Sequence, residues 1–385
     1  MTTPQFKQLR QSYGFDEVAI VPGDVTVNPD QVKTELKIGK HIINIPILAS
    51  AMDGVTDVKF AIAMSKLGGL AVLNLEGVQT RYENPDDVLS ELAAATPEKV
   101  TALMQKIYSA PIKENLIGER IQAIKKAGGI AAVAVTPTNT KKYAPPSVEA
   151  GADILDVAST VTSARHISKS QKGLIFSELC KTTPIPVIVG NCVSYSACLE
   201  LMRTGVAAIL VGVGPGAACT SRTVLGIGVP QITATIDCAA AREEYRHESG
   251  RYVPIITDGG FRNGGDVCKA FAAGADAVML GSLFAMAKEA PGRGYHWGMA
   301  TPHASLPRGT RIKVGVNASL EQILFGPSSL TDGSQNLVGA LKTCMGVCGA
   351  RNISDMQKTE LVIAPSITTE GKSWQISQKF GSKTC

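Results

Sequence analysis

The chain has 385 residues, 44% of them hydrophobic and 18% charged, with a formal charge of +5 from 38 basic and 33 acidic side chains. That length and apolar share suit one large α/β domain, and so mild a charge with no dense basic run excludes nucleic acid as a partner while leaving room for small anions. The nine cysteines include no CxxC pair, no zinc-site spacing and no compact disulfide pattern, so a reducing compartment is expected. MTTPQFKQLRQSYGFDEV has no apolar signal core and no run of about 18 apolar residues occurs, so the expectation is a soluble, cytoplasmic protein with no membrane contact.

In chain order, short apolar runs that end in Gly, Asn, Asp or Ser alternate with stretches of helical period. The runs are IPILAS (45–50), LAVLNL (70–75), IAAVAVT (130–136), ADILDVA (152–158), IPVIVGN (185–191), VAAILVGVG (206–214), VPIITDGG (253–260) and DAVMLGS (276–282). None alternates cleanly with polar residues, so both faces are buried, and eight such strands close a barrel. DVKFAIAMSKLGG, SYSACLELMRTG and GGDVCKAFAAGA read as the helices after strands one, five and seven. The long link between strands two and three is helical in propensity and reads as no separate inserted domain. The fold predicted is a single TIM-type (β/α)8 barrel over residues 1–385.

After the eighth run, residues 290–335 are rich in Gly, Pro, Ser and Thr with little periodicity, the character of an active-site flap. LVGALKTCMGVCGA then reads as a helix, and the polar tail from about 355 to 385 is expected to meet a neighbouring subunit.

Parallel barrels bind ligands at the C-terminal ends of their strands, so the polar residues that close each run are the candidates. Ser50, Met52, Asn191, the segment Gly212 to Thr220, Asp258 with Gly259 and Gly260, and Gly281 with Ser282 qualify. TDGGF and LGS present backbone N–H groups and a hydroxyl at two neighbouring strand ends, a pattern for phosphate. Asp258 would repel phosphate and suits a ribose diol, with a turn-capping carboxylate as the plainer reading. In GVGPGAACTSRTVLG (212–226), Cys219 lies just past a strand end among small residues that leave its sulfur accessible. It is the candidate nucleophile, and the other cysteines read mostly as packing.

GVGPGAACTSRTVLGIGVPQ resembles the active-site cysteine loop of the IMP dehydrogenase and GMP reductase family. SAMDGVTD (50–57), VGNCVS (189–194), ITDGGFRNGGDVCKA (256–270), MLGSLFA (279–285) and GMA (298–300) resemble its other signatures, in the family's order. The resemblance implies a (β/α)8 barrel acting on a purine nucleoside monophosphate. It implies that Ser50, Gly259, Gly260, Gly281 and Ser282 hold phosphate and that Asp258 binds ribose. Met52, Gly298 and Met299 would meet the purine, and Asn191 would support the loop. Cys219 would attack C2 of hypoxanthine, with a hydroxyl two residues on supplied by Ser221 where the family usually has Thr.

The same resemblance implies NAD as hydride acceptor, contacted by Ser159, Thr160, Gly212 and Gly214. It also implies potassium on the carbonyls of Gly214, Gly216 and Cys219, with Glu370 reaching in from a neighbour, and a homotetramer or homo-octamer. The family's inserted regulatory domain has no counterpart here. Three departures stand out: Ala158 replaces an aspartate used for the dinucleotide, Leu210 replaces a basic residue, and the flap is shorter and lacks an Arg-Tyr pair. GMATPHASLPRGTRIKVG (298–315) contains no Asp or Glu but contains Arg308 and Arg311. A reductase uses an acidic flap residue and a dehydrogenase an arginine to activate water, so the expectation is a dehydrogenase with Arg308 in that role. A GMP reductase, toward which CTSRT leans, and a silent nucleotide sensor are the alternatives.

Overall fold

The computed structural model describes residues 7, 9–167, 173–298, 311–368 and 370–377. Eight parallel strands close a barrel in chain order, the last pairing with the first. They are β1 (Ile47–Ala49), β2 (Leu70–Asn74), β3 (Ala132–Val135), β4 (Ile154–Ala158), β5 (Val187–Cys192), β6 (Ala208–Val211), β7 (Ile255–Asp258) and β8 (Ala277–Leu280). Each lies inside one of the eight apolar runs, save that β5 continues one residue past its run to Cys192, because a strand buried on both faces has no polar face to show.

Two layers of core follow from the pleat. Leu48, Leu70, Val72, Ile154, Ile188, Leu210, Ile256 and Met279 fill the barrel interior together with Leu36, Ile38 and Ile43 of a hairpin. Their neighbours of opposite parity, Ile47, Ala49, Leu73, Val189, Ile209 and Ile255, pack outward against the helices. A fully buried Leu or Ile of this kind contributes about 1.5–3 kcal/mol.

The link between β2 and β3 holds three helices, Pro85–Ala94, Pro97–Ser109 and Glu114–Lys126. The first two build a small core of their own around Trp297, with Leu89, Leu92, Val100, Met104 and Tyr108. No regulatory domain interrupts the barrel among the described residues.

Within the segment 290–335 read as a flap, Tyr295–His296 pairs antiparallel with Ile312–Lys313, and helix Leu320–Phe325 buries Leu320, Ile323 and Leu324. That apolar spacing is helical, but fewer than two turns long, too short to register against the Gly- and Ser-rich surroundings. In the tail, Leu361–Ile363 pairs antiparallel with Val18–Ile20 of the same chain.

Candidate active site

The phosphate candidates converge at the ends of β7, β8 and β1. Gly259 and Gly260 have φ of 84° and 87°, a region that disfavours any side chain, and a Cβ on them would come 3.3 and 3.1 Å from Pro215. The DGG turn is therefore packed directly against the cysteine loop. A Cβ on Gly281 would lie 3.1 Å from Met52 Sδ and 3.7 Å from Ser50 Oγ, so these three candidates also meet.

Ser282 Oγ lies 3.0 Å from Nε2 of His296, a residue not singled out from sequence. Burial pulls that imidazole down to about 4, so it is neutral at pH 7, and its Nδ1 has no partner among the described residues. His296 thereby ties the ascending arm of the flap to the phosphate corner.

The thiol loop follows β6. Cys219 is exposed, whereas every other described cysteine is buried or half-buried. Its N–H donates to the Gly216 carbonyl at 3.0 Å and its Sγ donates to Ser221 Oγ at 3.3 Å. Ser221 is buried, so the hydroxyl is a fixed partner. Arg222 anchors the loop from the other side: its stem lies between Gly214 and Gly228, 2.6 and 2.9 Å from a Cβ on either, and its guanidinium donates to the Val229 carbonyl at 3.1 Å.

Gln231 is the residue that sequence reasoning missed here. Its buried Nε2 donates at 2.8 Å to the Val211 carbonyl and at 2.8 Å to the Asp258 carbonyl, pinning the ends of β6 and β7 together. Gly212 is buried in the same joint, where a Cβ would come 2.3 Å from the Asp258 carbonyl. That is a close-packed position that only glycine fits.

Asn191 Nδ2 donates to Asp258 Oδ2 at 2.8 Å, which makes Asn191 a partner of the ribose candidate. Desolvation lifts the Asp258 carboxyl to about 6 against the opposing pull of Asn191, although its side chain keeps some access to the barrel mouth. A second carboxyl, Asp156 on β4, is buried in the barrel with no hydrogen-bond partner for Oδ1. Burial first, and the Asp258 charge second, push it well above the usual carboxylate range. An aspartate in the middle of the apolar run ADILDVA was the available signal.

At the end of β4, Ser159 is engaged locally: its Oγ donates to the Val161 carbonyl at 2.9 Å and lies 2.9 Å from Thr162 Oγ1. Thr160 is half-buried beside it, Ala158 closes the strand, and Leu210 packs against Gly190 inside the barrel. A dinucleotide would be held here by neutral hydroxyls and main chain, a donor set that fits a ribose or amide. Segment 212–226 contains no carboxylate, so its Gly214, Gly216 and Cys219 carbonyls offer only uncharged oxygen, the chemistry of a weakly held monovalent cation.

Gly298 ends the described ascending arm, and Met299 and Arg308 lie outside the described residues. Arg311 opens the descending arm but is committed elsewhere. Its guanidinium caps the C-terminus of Pro85–Ala94 through the Leu92, Ala93 and Ala95 carbonyls and stacks 4.3 Å over the Tyr295 ring. On the other arm Trp297 Nε1 donates to Tyr108 Oη at 2.7 Å, which donates to Asp53 Oδ2 at 2.7 Å. Glu370 lies in the exposed tail.

The exposed Cys219 thiol sits on a strand-six loop packed against the glycine-rich turn of strand seven, at the C-terminal mouth of a (β/α)8 barrel. The IMP dehydrogenase / GMP reductase domain model matches residues 12–373, and the chain belongs to that family. It is 39% identical to an uncharacterised oxidoreductase of Mycolicibacterium smegmatis, over 92% of this chain and 97% of that one. It is 32% identical to the inosine-5'-monophosphate dehydrogenase of Borreliella burgdorferi, over 91% and 93% respectively. The crystal structure of an IMP dehydrogenase/GMP reductase-like protein from Corynebacterium glutamicum superposes with a TM-score of 0.88 at 36% identity, covering 94% of this chain and 97% of that chain.

Proposed function

We propose that this protein is an NAD-dependent IMP dehydrogenase that converts IMP to XMP through a covalent bond to Cys219. The observation that carries the reading is Cys219 itself, exposed on a loop whose Pro215 rests on the DGG turn. That contact fixes the sulfur relative to a phosphate held by Ser50, Gly259, Gly260, Gly281 and Ser282. Ionised Asp258 accepts from the ribose hydroxyls, while Met52, Gly298 and Met299 meet the base.

Cys219 sulfur bonds to C2 of hypoxanthine as the C2=N3 double bond opens and the thiol proton goes to N3, Ser221 hydrogen-bonds the sulfur, and the hydride on the now saturated C2 departs with its electron pair while N3 releases that proton to solvent, leaving a thioimidate with C2=N3 restored. NAD, when bound near Ser159, Thr160 and Gly214, supplies the acceptor for that hydride. Water then adds to C2, the C–S bond breaks, and XMP leaves with the oxygen. Arg308 is the proposed group for water activation, since the flap carries no carboxylate and Arg311 is held by helix Pro85–Ala94. An arginine acts so only in a closed, dry site. Gly214, Gly216 and Cys219 would hold potassium by their carbonyls, and no step is routed through it.

The test is NADH formation from IMP, expected in the wild type and absent in Cys219→Ala. Ammonia release from GMP with NADPH, in place of NADH formation, would assign the reverse-type GMP reductase that the CTSRT run favours. Tight IMP binding with neither activity would assign a sensor. We also propose a homotetramer or homo-octamer, with the exposed tail and Glu370 at the contact, checked by light scattering.

A further inference from the structure

Behind the active site, on the helix side of the sheet, three thiols meet. Cys192 ends β5, Cys198 lies on helix Tyr195–Arg203 and Cys238 on helix Gln231–Ser249. All three are buried, and their sulfur atoms lie within 4.8 Å of one another. They lie 6 and 40 positions apart in sequence, which is why no ligand spacing announces them. Apolar packing requires small buried residues at such positions but does not require three sulfurs to converge.

The geometry points to a three-coordinate site for Cu(I). Metal–sulfur bonds of about 2.3 Å place three sulfurs at the corners of a triangle about 4 Å on a side. The present separation closes to that with side-chain shifts of a few tenths of an ångström. Among the described residues no His, Asp or Glu joins the group, so the donors are soft sulfur alone. Structural zinc takes four ligands, and no fourth side chain is there.

Binding replaces thiol protons, which leave to solvent, and copper stays in its +1 state, so no electron moves. With two sulfurs ionised and the third a neutral thiol, the buried cluster carries one net negative charge. The site adjoins the chemistry: the Cys192 carbonyl accepts from Gly212 N–H at 3.0 Å, and the preceding residue, Asn191, holds Asp258.

The experiment uses the reduced full-length chain in a Cys219→Ser background, which removes the exposed thiol, titrated anaerobically with Cu(I) against bicinchoninate. One Cu(I) per chain is expected to resist the competitor, with the amount falling at least tenfold in Cys198→Ala and in Cys238→Ala and unchanged in Cys344→Ala. Circular dichroism establishes that each variant is folded. Copper-edge X-ray absorption on the loaded parent is expected to find three sulfurs at about 2.3 Å, a readout that stands even if a variant fails to fold. Copper lost to the competitor, copper retained equally in the variants, a nitrogen or oxygen shell, or retention of zinc instead would each overturn the assignment.

Discussion

The loop that bears Cys219 and the arms that bear the flap are both long excursions at the mouth of one barrel, yet they are held in opposite ways. The thiol loop is fixed from inside: Gln231 donates to β6 and β7 at once, Gly212 lets the loop press on the Asp258 main chain, Gly214 makes room for the Arg222 stem, and Gly259 and Gly260 make room for Pro215. The flap arms are fixed from outside, by helices inserted between β2 and β3, through Trp297 to Tyr108 and Arg311 to the helix end. A thiol placed by the barrel keeps its position whatever the flap does. A flap anchored to an accessory element is free to differ while the barrel stays the same.

The sharpest way to test this division is at the sulfur. Cys219→Ala is expected to lower turnover at least about a thousandfold while leaving nucleotide binding within a few-fold, read by steady-state kinetics and calorimetry. Binding lost in parallel would mean that the loop and the phosphate corner do not act separately.

Gln231→Ala strips two buried carbonyls of their donor and should destabilise the fold by about 2–4 kcal/mol in denaturant melts, with turnover falling further than the affinity for IMP. A loss below about 0.5 kcal/mol would show that water or main chain replaces the amide.

Asp156 sharpens the interior side of the comparison. Burial raises its pKa well above the usual carboxylate range in the fold, whereas an unfolded aspartate ionises above about pH 3.9. Its raised pKa therefore stabilises the fold only at low pH, and that contribution is lost as pH rises. Asp156→Asn should gain on the wild type by up to about 1.4 kcal/mol per pH unit above pH 4. A constant gap between the two melts would mean that Asp156 is ionised in the fold.

Asp258, at about 6, gives a ligand readout: its ionised form accepts from ribose, so IMP affinity should rise as pH passes upward through 6. In Asp258→Asn only the phosphate's own titration should remain. The smallest effect is expected at Trp297→Phe, which keeps the ring and loses one hydrogen bond. About 1 kcal/mol of stability and a modest rise in KM, with kcat nearly kept, would fit an external brace.

The barrel was legible because a strand buried on both faces writes itself as an uninterrupted apolar run, and the eight runs fall on β1 to β8. The thiol and the twin glycines were legible because they depart from that background at strand ends. Gln231 was not, since its partners lie 20 and 27 residues away and its own neighbourhood reads as an ordinary helix start. Nor were Trp297 and Tyr108, 189 residues apart, or the pairing of Val18–Ile20 with Leu361–Ile363. Contacts of that range leave no local period, and an arginine such as Arg311 reads the same whether it serves chemistry or caps a helix.

The pairing of the two chain ends bears on biosynthesis. Phe15 stacks on Phe261 with ring centroids 5.0 Å apart, and Asp16 pairs with Arg262, so this N-terminal segment lies over the DGG turn. Two residues later it enters the strand that only residues 361–363 complete. A nascent chain emerging from the ribosome has all eight barrel strands before it has that strand's partner. The cover over the DGG turn therefore closes last, and a chain truncated before residue 361 would carry the exposed thiol of Cys219 with that turn unclasped.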